Sequence, residues 1–138
     1  MTMTNTIDYV TIATAGDATD FGDLLETNHG VAGCSNDTRG VFSGGHAGGD
    51  GGCDRIQYVT IDTTANAVDF GDLTRARRSV TAASDGTKGV TGGGSYDASS
   101  VMYRLDTMDY FTFSSLGNAT DFGDLTRLVG FAQACSGD

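Results

Sequence analysis

The chain has 138 residues, with eighteen Asp and Glu against eight Lys and Arg, which gives a net charge of −10. This length suits one domain with its own hydrophobic core, and the acidic charge argues against nucleic acid as a partner, because phosphate binding needs clustered Lys and Arg. The 21 Gly, the absence of Pro and Trp and the abundant Thr favour an all-β chain of strands and turns.

An internal repeat organises the chain. The first predicted strand, residues 7–12, reads Ile-Asp-Tyr-Val-Thr-Ile, and close variants of it begin at residues 56 and 108. After a turn, each copy continues with the identical sequence Asp-Phe-Gly-Asp-Leu, at residues 20–24, 69–73 and 121–125. Three such identities in one register indicate a true repeat. They divide the single domain 1–138 into units of approximately 7–55, 56–107 and 108–138.

Each unit is predicted to contain four strands. In the second unit these are residues 56–61, 67–73, 79–83 and 89–93, separated by polar or glycine-containing turns. Four short strands in roughly fifty residues are typical of a β-propeller blade. We therefore expect three four-stranded antiparallel units of the propeller type, with the last one incomplete.

The unit resembles a kelch repeat, in which a glycine doublet ends one strand, a Tyr lies in the next, and a large aromatic residue follows. The residues that carry this resemblance are Gly44, Gly45, Gly92, Gly93, Tyr9, Tyr58, Tyr110, Phe21, Phe70 and Phe122. Phe stands here where kelch repeats usually have Trp. The repeats are also similar to propeller-type repeats of phage virion and tail-fibre proteins. That likeness implies a non-catalytic structural or adhesion protein of the virion.

Three units are too few to close a propeller, which has four or more blades. The chain also offers two glycine-doublet strands for three units, so one strand is missing. We expect residues 1–6 of the same or a neighbouring chain to supply that strand, and further copies to complete a ring or a head-to-tail fibre. The expected partners are other copies of the chain, other virion proteins and host surface glycans.

The repeated Asp pairs are the candidate metal ligands. Two carboxylates on either side of Phe-Gly could share Ca²⁺, and turn carboxylates also accept backbone N–H bonds, so both interpretations stay open. No other cofactor is expected. The pairs comprise Asp20, Asp23, Asp69, Asp72, Asp121 and Asp124.

We expect no catalysis. Asp50 and Asp54 would be the carboxylates of a glycosidase, but they belong to a glycine-rich loop, and such a loop is poorly suited to holding a catalytic group rigidly. A pair of His46 and Cys53 lacks an orienting third group. The glycine-rich residues 44–52 lack the Lys and the helix of a phosphate-binding loop.

Recognition of a ligand is expected in two loops, residues 46–54 and 95–106, because variable loops on a rigid scaffold carry binding. Their candidate contacts are His46, Asp50, Asp54, Tyr96 and Tyr103. A glycan-binding, lectin-like module is therefore the alternative function, and a kelch-type enzyme is a weaker one.

The three cysteines form no metal-binding spacing and are expected to be buried free thiols. The sequence shows neither a signal peptide nor an apolar stretch of membrane-spanning length. The expected location is a virion or the cell exterior, reached by another route such as lysis.

Overall fold

The computed structural model describes residues 3–48 and 51–136. Every regular element in these residues is a strand and every pairing is antiparallel, which confirms the all-β prediction. Over the same ranges, no helix is long and apolar enough to cross a membrane. The strands are β1 (Thr4–Tyr9), β2 (Thr19–Asn28), β3 (Ala32–Ser35), β4 (Arg39–Ser43), β5 (Cys53–Thr60), β6 (Val68–Arg77), β7 (Thr81–Ser84), β8 (Lys88–Gly92), β9 (Ser95–Ala98), β10 (Val101–Thr112) and β11 (Thr120–Val129).

The strands form three sheets. The first sheet is β1 and β2, the second has the order β3-β4-β5-β6, and the third has the order β7-β8-β10-β11 with β9 added on β10. The second sheet therefore joins the last two strands of the first sequence unit to the first two strands of the next. The predicted four-stranded units therefore do not correspond to the sheets. The incomplete sheet is the first one and not the last, and no complete sheet coincides with one sequence unit.

The Asp-Phe-Gly-Asp sequence forms a β-bulge in all three sheets. Ile7 pairs with Gly22 and Asp8 with Asp20, so Phe21 has no partner on β1. The register of β5–β6 and of β10–β11 shifts in the same places. A bulge bends and twists its strand, and in the first and second sheets the bulge lies against the turn of the next sheet.

A pair of glycines with positive φ ends β4 and β8. Gly44 and Gly45 have φ of 66° and 101°, and the matching residues after β8 are Gly93 and Gly94, with φ of 61° and 98°. The predicted second doublet is thus displaced by one residue, since Gly92 is the last residue of β8. A Cβ atom on Gly44 would lie 2.8 Å from the carbonyl oxygen of Arg77, so glycine is required there for steric reasons as well.

The hydrophobic core lies between consecutive sheets. One cluster joins the second and third sheets and contains Val41, Ile56, Phe70, Leu73, Phe111 and Phe113. A smaller cluster of Leu24, Val59 and Ala67 joins the first and second sheets. The sheets therefore pack face to face in sequence order, each burying one side against its neighbour.

The segment after β11 repeats the path of the segments that lead into β3 and β7. Gly30, Ser79 and Phe131 all have positive φ, of 70°, 53° and 63°. The backbone N–H of Ser79 donates to Gly30 O at 2.9 Å, and that of Phe131 donates to Ser79 O at 3.1 Å. Residues 132–136 therefore lie where the first strand of a further sheet would begin.

Two sequence expectations about single segments need correction. Thr4 and Thr6 pair with β2 as part of β1, so they do not supply an additional strand, and Met1 and Thr2 lie outside the described residues. The region 95–106 is not a loop but a hairpin in which β9 pairs with the start of β10.

Candidate functional site

The predicted Asp pairs lie on the bulges of the three outer strands. Asp23 contributes backbone rather than carboxylate contacts: its N–H donates to Asn66 Oδ1 at 3.0 Å, and its carbonyl accepts from Ala67 N at 2.8 Å. Asp72 makes the same two bonds, to Asn118 Oδ1 at 3.1 Å and from Ala119 N at 2.8 Å. In the described ranges, no group of three His, Cys, Asp or Glu is placed to hold a metal ion. The motif thus joins the first sheet to the β5–β6 turn and the second sheet to the β10–β11 turn.

A second contact between sheets uses a polar residue in the middle of an apolar strand. Gln57 on β5 accepts a hydrogen bond at its Oε1 from the backbone N–H of Leu25 in the first sheet, at 2.8 Å. Asp109, at the same place on β10, accepts at its Oδ2 from the N–H of Thr74 in the second sheet, at 3.0 Å. The larger register shift in each outer strand brings this N–H out of the ladder, where the neighbouring sheet satisfies it.

The second of these contacts also contains a buried ion pair. Arg77 Nη2 donates to Asp109 Oδ2 at 3.0 Å and to Thr91 O at 3.2 Å, and both charged side chains have no exposed surface. Burial lowers the pKa of Arg77, and the charge of Asp109 acts in the opposite direction. The corresponding place in the first sheet is occupied by Asn28. Its side chain donates to Gly44 O at 3.3 Å and accepts from the backbone N–H of His29 at 2.7 Å, so its bonds differ from those of Arg77.

In the first and second sheets, the glycine of the bulge packs closely against the turn of the next sheet. A Cβ atom on Gly22 would lie 2.9 Å from Asn66 N, and one on Gly71 would lie 2.8 Å from Asn118 N. Gly123 is the third such glycine and has φ of 128°, yet a Cβ atom there would meet nothing within 4 Å. The third sheet therefore has the same bulge glycine, but none of the described residues packs against it.

Two open faces result, one at each end of the stack of sheets. We define the N-terminal face by Asp8, Val10, Gly16 and Asp17, which are the repeat counterparts of Gln57, Val59, Ala65 and Asn66. We define the C-terminal face by Phe122, Gly123, Asp124 and Thr126, the counterparts of Phe70, Gly71, Asp72 and Thr74. Val10 is 55% exposed whereas Val59 is 6% exposed, and Phe122 is 54% exposed whereas Phe70 is 2% exposed. Each face thus exposes what an internal contact buries.

The repeated aromatic residues make the same contact in every sheet. Tyr58 packs edge-on against Phe70 with ring centroids 6.0 Å apart, and the pairs Tyr9–Phe21 and Tyr110–Phe122 have centroids 5.9 and 6.0 Å apart. Each pair joins neighbouring strands of one sheet, and Tyr58 also packs against the core cluster between the second and third sheets.

The β9–β10 hairpin brings together two of the predicted ligand contacts. Tyr96 and Tyr103 pair across the hairpin and stack with centroids 5.2 Å apart. The guanidinium of Arg75 lies 3.9 Å from the centroid of the Tyr96 ring. The result is a three-layer stack whose last member, Tyr103, is 45% exposed.

The other predicted contacts lie apart from this stack. His46 stacks on His29, with ring centroids 4.9 Å apart. Asp54 is an exposed residue of β5, and Asp50 lies outside the described residues. Cys53, considered with His46 as a nucleophile pair, donates instead to Glu26 Oε1 at 3.5 Å, and its pKa is raised mainly by burial.

A further cavity lies between the inner strands. It is an open cleft of about 730 Å³ lined by residues that include Cys34, Ala83 and Ala134. His46, Asp54, Tyr96 and Tyr103 do not line it. Burial raises the pKa of Cys34 to about 11, so this thiol is not an activated nucleophile at neutral pH. All three cysteines are free thiols in the structure. None of them is fully buried as predicted, since Cys34 and Cys53 are half-buried and Cys135 is exposed.

No known protein family matches the chain, and no curated protein matches it. Among solved structures, the chain is similar to the structure of YjhT, with a TM-score of 0.67 and 9% sequence identity. The match covers 80% of this chain and 36% of YjhT, so the chain spans about a third of that structure's length. At this identity the similarity is one of fold alone.

Proposed function

We propose that the chain is a non-catalytic structural or adhesion protein of a virion, of the tail-fibre or capsid-surface type. It assembles with copies of itself through sheets that act as blades of a β-propeller. The observation that carries this proposal is the pair of open faces, which repeat the two sides of the contacts inside the chain.

The hydrogen-bonding groups of the two faces are complementary. On the C-terminal face, the N–H groups of Asp124 and Thr126 correspond to the donors Asp72 and Thr74. On the N-terminal face, the carboxylates of Asp17 and Asp8 correspond to the acceptors Asn118 and Asp109. Thr126 has a hydroxyl as well. The equivalent hydroxyl of Thr74 donates to Asp109 Oδ1 at 2.7 Å. The two faces therefore form a head-to-tail contact with the geometry already present twice in the chain.

A contact between two different faces of one chain propagates. It gives a ring if the rotation between copies closes and a filament if it does not. The twist between packed sheets favours a curved assembly, which is the principle of a β-propeller. The proposal that the protein is part of a virion is based on the similarity of its repeats to those of phage virion and tail-fibre proteins.

Native mass spectrometry and negative-stain microscopy of the purified chain test the proposal. We expect multiples of the 14.2 kDa chain and rings or fibres on the grids. Phe122→Asp places a charge at the centre of the contact and is expected to leave only the single chain. Leu116→Asp is the matched control, since Leu116 is 52% exposed, lies in the β10–β11 turn and is not one of the residues that define either face. A wild-type chain that stays at 14.2 kDa over all micromolar concentrations contradicts the proposal.

A glycan-binding, lectin-like function is the second candidate, and the stack of Arg75, Tyr96 and Tyr103 favours it. An exposed aromatic ring held rigidly from behind offers a flat surface on which the C–H groups of a sugar can stack. Binding on a glycan array that Tyr103→Ala removes and Tyr9→Ala leaves intact would support it. An array without binding would exclude this second function and leave the structural one untouched.

A further inference from the structure

The chain has two histidines, and the fold places them side by side although they are far apart in the sequence. The backbone N–H of His46 donates to His29 O at 2.9 Å, and that of His29 donates to His46 O at 3.3 Å. Two residues that exchange both bonds lie directly opposite each other in an antiparallel pair, with their side chains on the same face. The centroids of the two imidazole rings are accordingly 4.9 Å apart.

The backbone of this histidine pair is held by its neighbours. Oδ1 of Asn28 accepts from the N–H of His29 at 2.7 Å and from the N–H of His46 at 2.5 Å. The N–H of Cys53 donates to Gly45 O at 2.7 Å, which closes the loop that follows His46. All of these bonds use the main chain of the two histidines. The imidazoles themselves are therefore not needed to form the pair.

The same backbone pair recurs one repeat later with other side chains. Arg78 and Ser95 exchange both bonds, each at 2.8 Å. There the guanidinium of Arg78 binds the carboxylate of Asp97 at 2.7 Å, and Ser95 is buried. The pairing thus belongs to the fold, whereas two imidazoles on one face are a property of this one place.

The imidazole rings have nitrogens that the protein uses little. Nδ1 of His29 is buried without a hydrogen-bond partner among the described residues, and a bound ion is one explanation for such an atom. Nδ1 of His46 accepts from the N–H of Gly48 at 3.3 Å, which is a long bond at an exposed place. Both side chains are half-buried. A neutral imidazole has one nitrogen with a free lone pair, and this nitrogen is the commonest metal ligand in proteins.

We propose that His29 and His46 together bind one divalent late transition-metal ion, with Cu²⁺ bound more tightly than Ni²⁺ or Zn²⁺. Imidazole suits all three ions, and Cu²⁺ stands first in the general order of affinity. Over residues 3–48 and 51–136, no third His, Cys, Asp or Glu is placed to join the pair. Water or a donor from another molecule completes the coordination. The inference goes beyond the proposed function, because this site lies within one chain and does not depend on assembly.

Cu²⁺ held by iminodiacetate tests the proposal, because this chelator leaves coordination positions for two imidazoles and keeps the concentration of free copper low. The parent protein is the Cys135→Ser chain, since the exposed thiol of Cys135 reduces copper. We expect saturable binding of one copper per chain. We also expect a pulsed electron paramagnetic resonance signal with two imidazole nitrogens at that copper. The chain has no third histidine that could contribute to this signal.

His29→Ala and His46→Ala each leave one imidazole. Each should bind the copper complex roughly tenfold more weakly or worse, because the second ligand is no longer held beside the first. Adding Thr64→His to His29→Ala is the matched control. It restores two imidazoles but places the second one in the exposed β5–β6 turn, at the opposite end of β5 from the loop that follows His46. This control should bind no better than His29→Ala.

Thermal melting gives a second measurement. Because a ligand of the folded state stabilises that state, the copper complex should raise the melting temperature of the parent and leave that of each Ala variant nearly unchanged. Two results overturn the proposal. One is a copper signal with a single imidazole nitrogen in the parent. The other is equal affinity of the parent and the control with separated histidines.

Discussion

The carboxylate of Asp109 on β10 lies 3.0 Å from Nη2 of Arg77 on β6, and the pair joins the second and third sheets without contact with solvent. The same carboxylate also binds the N–H and hydroxyl of Thr74. One side chain thus binds a bulged backbone N–H, a hydroxyl and a buried cation, although Nε and Nη1 of Arg77 have no hydrogen-bond partner among the described residues.

Removal of this carboxylate is expected to destabilise the chain strongly. Asp109→Ala leaves the Arg77 charge buried without its partner, and such changes cost about 3–5 kcal/mol of unfolding free energy. Asp121 faces Asp109 across the strand pair and is exposed, so Asp121→Ala is the control, with an expected change within about 0.5 kcal/mol. Urea denaturation followed by circular dichroism measures both, and similar losses for the two variants contradict the assignment.

A double substitution tests whether the two buried charges act together. Arg77→Asn with Asp109→Gln copies the residues Asn28 and Gln57 into the second contact. The double variant is expected to lose less stability than the sum of the single variants, by about 0.5–3 kcal/mol. Strict additivity would mean that the two side chains do not act together.

Substitution of the bulge glycines should distinguish an effect on the stability of the fold from an effect on assembly. Gly71→Ala forces a Cβ atom against the backbone of Gly117 and Asn118, at a positive φ that costs about 1 kcal/mol or more in itself. Gly123→Ala has the same kind of backbone strain but an open surface, so it should unfold later than Gly71→Ala in a thermal scan. It should nevertheless weaken the head-to-tail contact in native mass spectra. If Gly123→Ala assembles like the wild type, the C-terminal face is not the contact.

Asp85 predicts a dependence of stability on pH. Its carboxylate accepts N–H bonds from Lys88 at 2.7 Å and Thr87 at 2.8 Å, and these bonds lower its pKa below the ordinary value. Because the folded pKa lies below the unfolded one, the stabilisation is present above the unfolded pKa and is lost as the pH falls through the folded pKa.

The matching turn before β4 uses Asn36 for the same bonds, to Thr38 and Arg39. Asp85→Asn should therefore change the melting temperature little near pH 7. On acidification the variant should lose less stability than the wild type, since Asn does not titrate in this range. Parallel melting curves at all pH values would show that these hydrogen bonds do not couple to folding.

The three thiols should react in order of exposure and pKa. Cys135 is exposed, Cys53 is half-buried with a raised pKa, and Cys34 has a pKa of about 11 because of burial. Since the thiolate is the reactive form, iodoacetamide at mildly alkaline pH should label Cys135 first and Cys34 last. Peptide mass spectrometry gives the order, and early labelling of Cys34 would show that the inner strand β3 opens readily.

The sequence predicts the strands better than it predicts the sheets. The motif at 69–73 lies in β6, and the strand predicted at 56–61 overlaps β5 except for its last residue. Both are found because an apolar alternation and a bulge glycine are local signals. The pairing of β4 with β5 is a contact across the sequence boundary at residue 55. The repeat period alone does not show which strands share a sheet, because the period is the same whichever strand is taken as the start of a unit.

For the candidate site as well, the sequence predicts local features better than contacts between distant strands. The residues Tyr96 and Tyr103 were predicted as contacts, but their stacking depends on the pairing of β9 with β10. The inter-sheet acceptors Gln57 and Asp109 were missed, because a polar residue within an alternating strand indicates only a solvent-facing side. A signal did exist: a polar residue directly precedes Tyr9, Tyr58 and Tyr110 in all three copies.

The offset between sequence repeats and sheets also bears on how such a chain can change in length. Duplication of one repeat would complete the sheet that contains β1 and at the same time create a new half-sheet beside it. Repeat number can therefore grow or shrink in evolution while the two terminal surfaces offered to other molecules keep their chemistry.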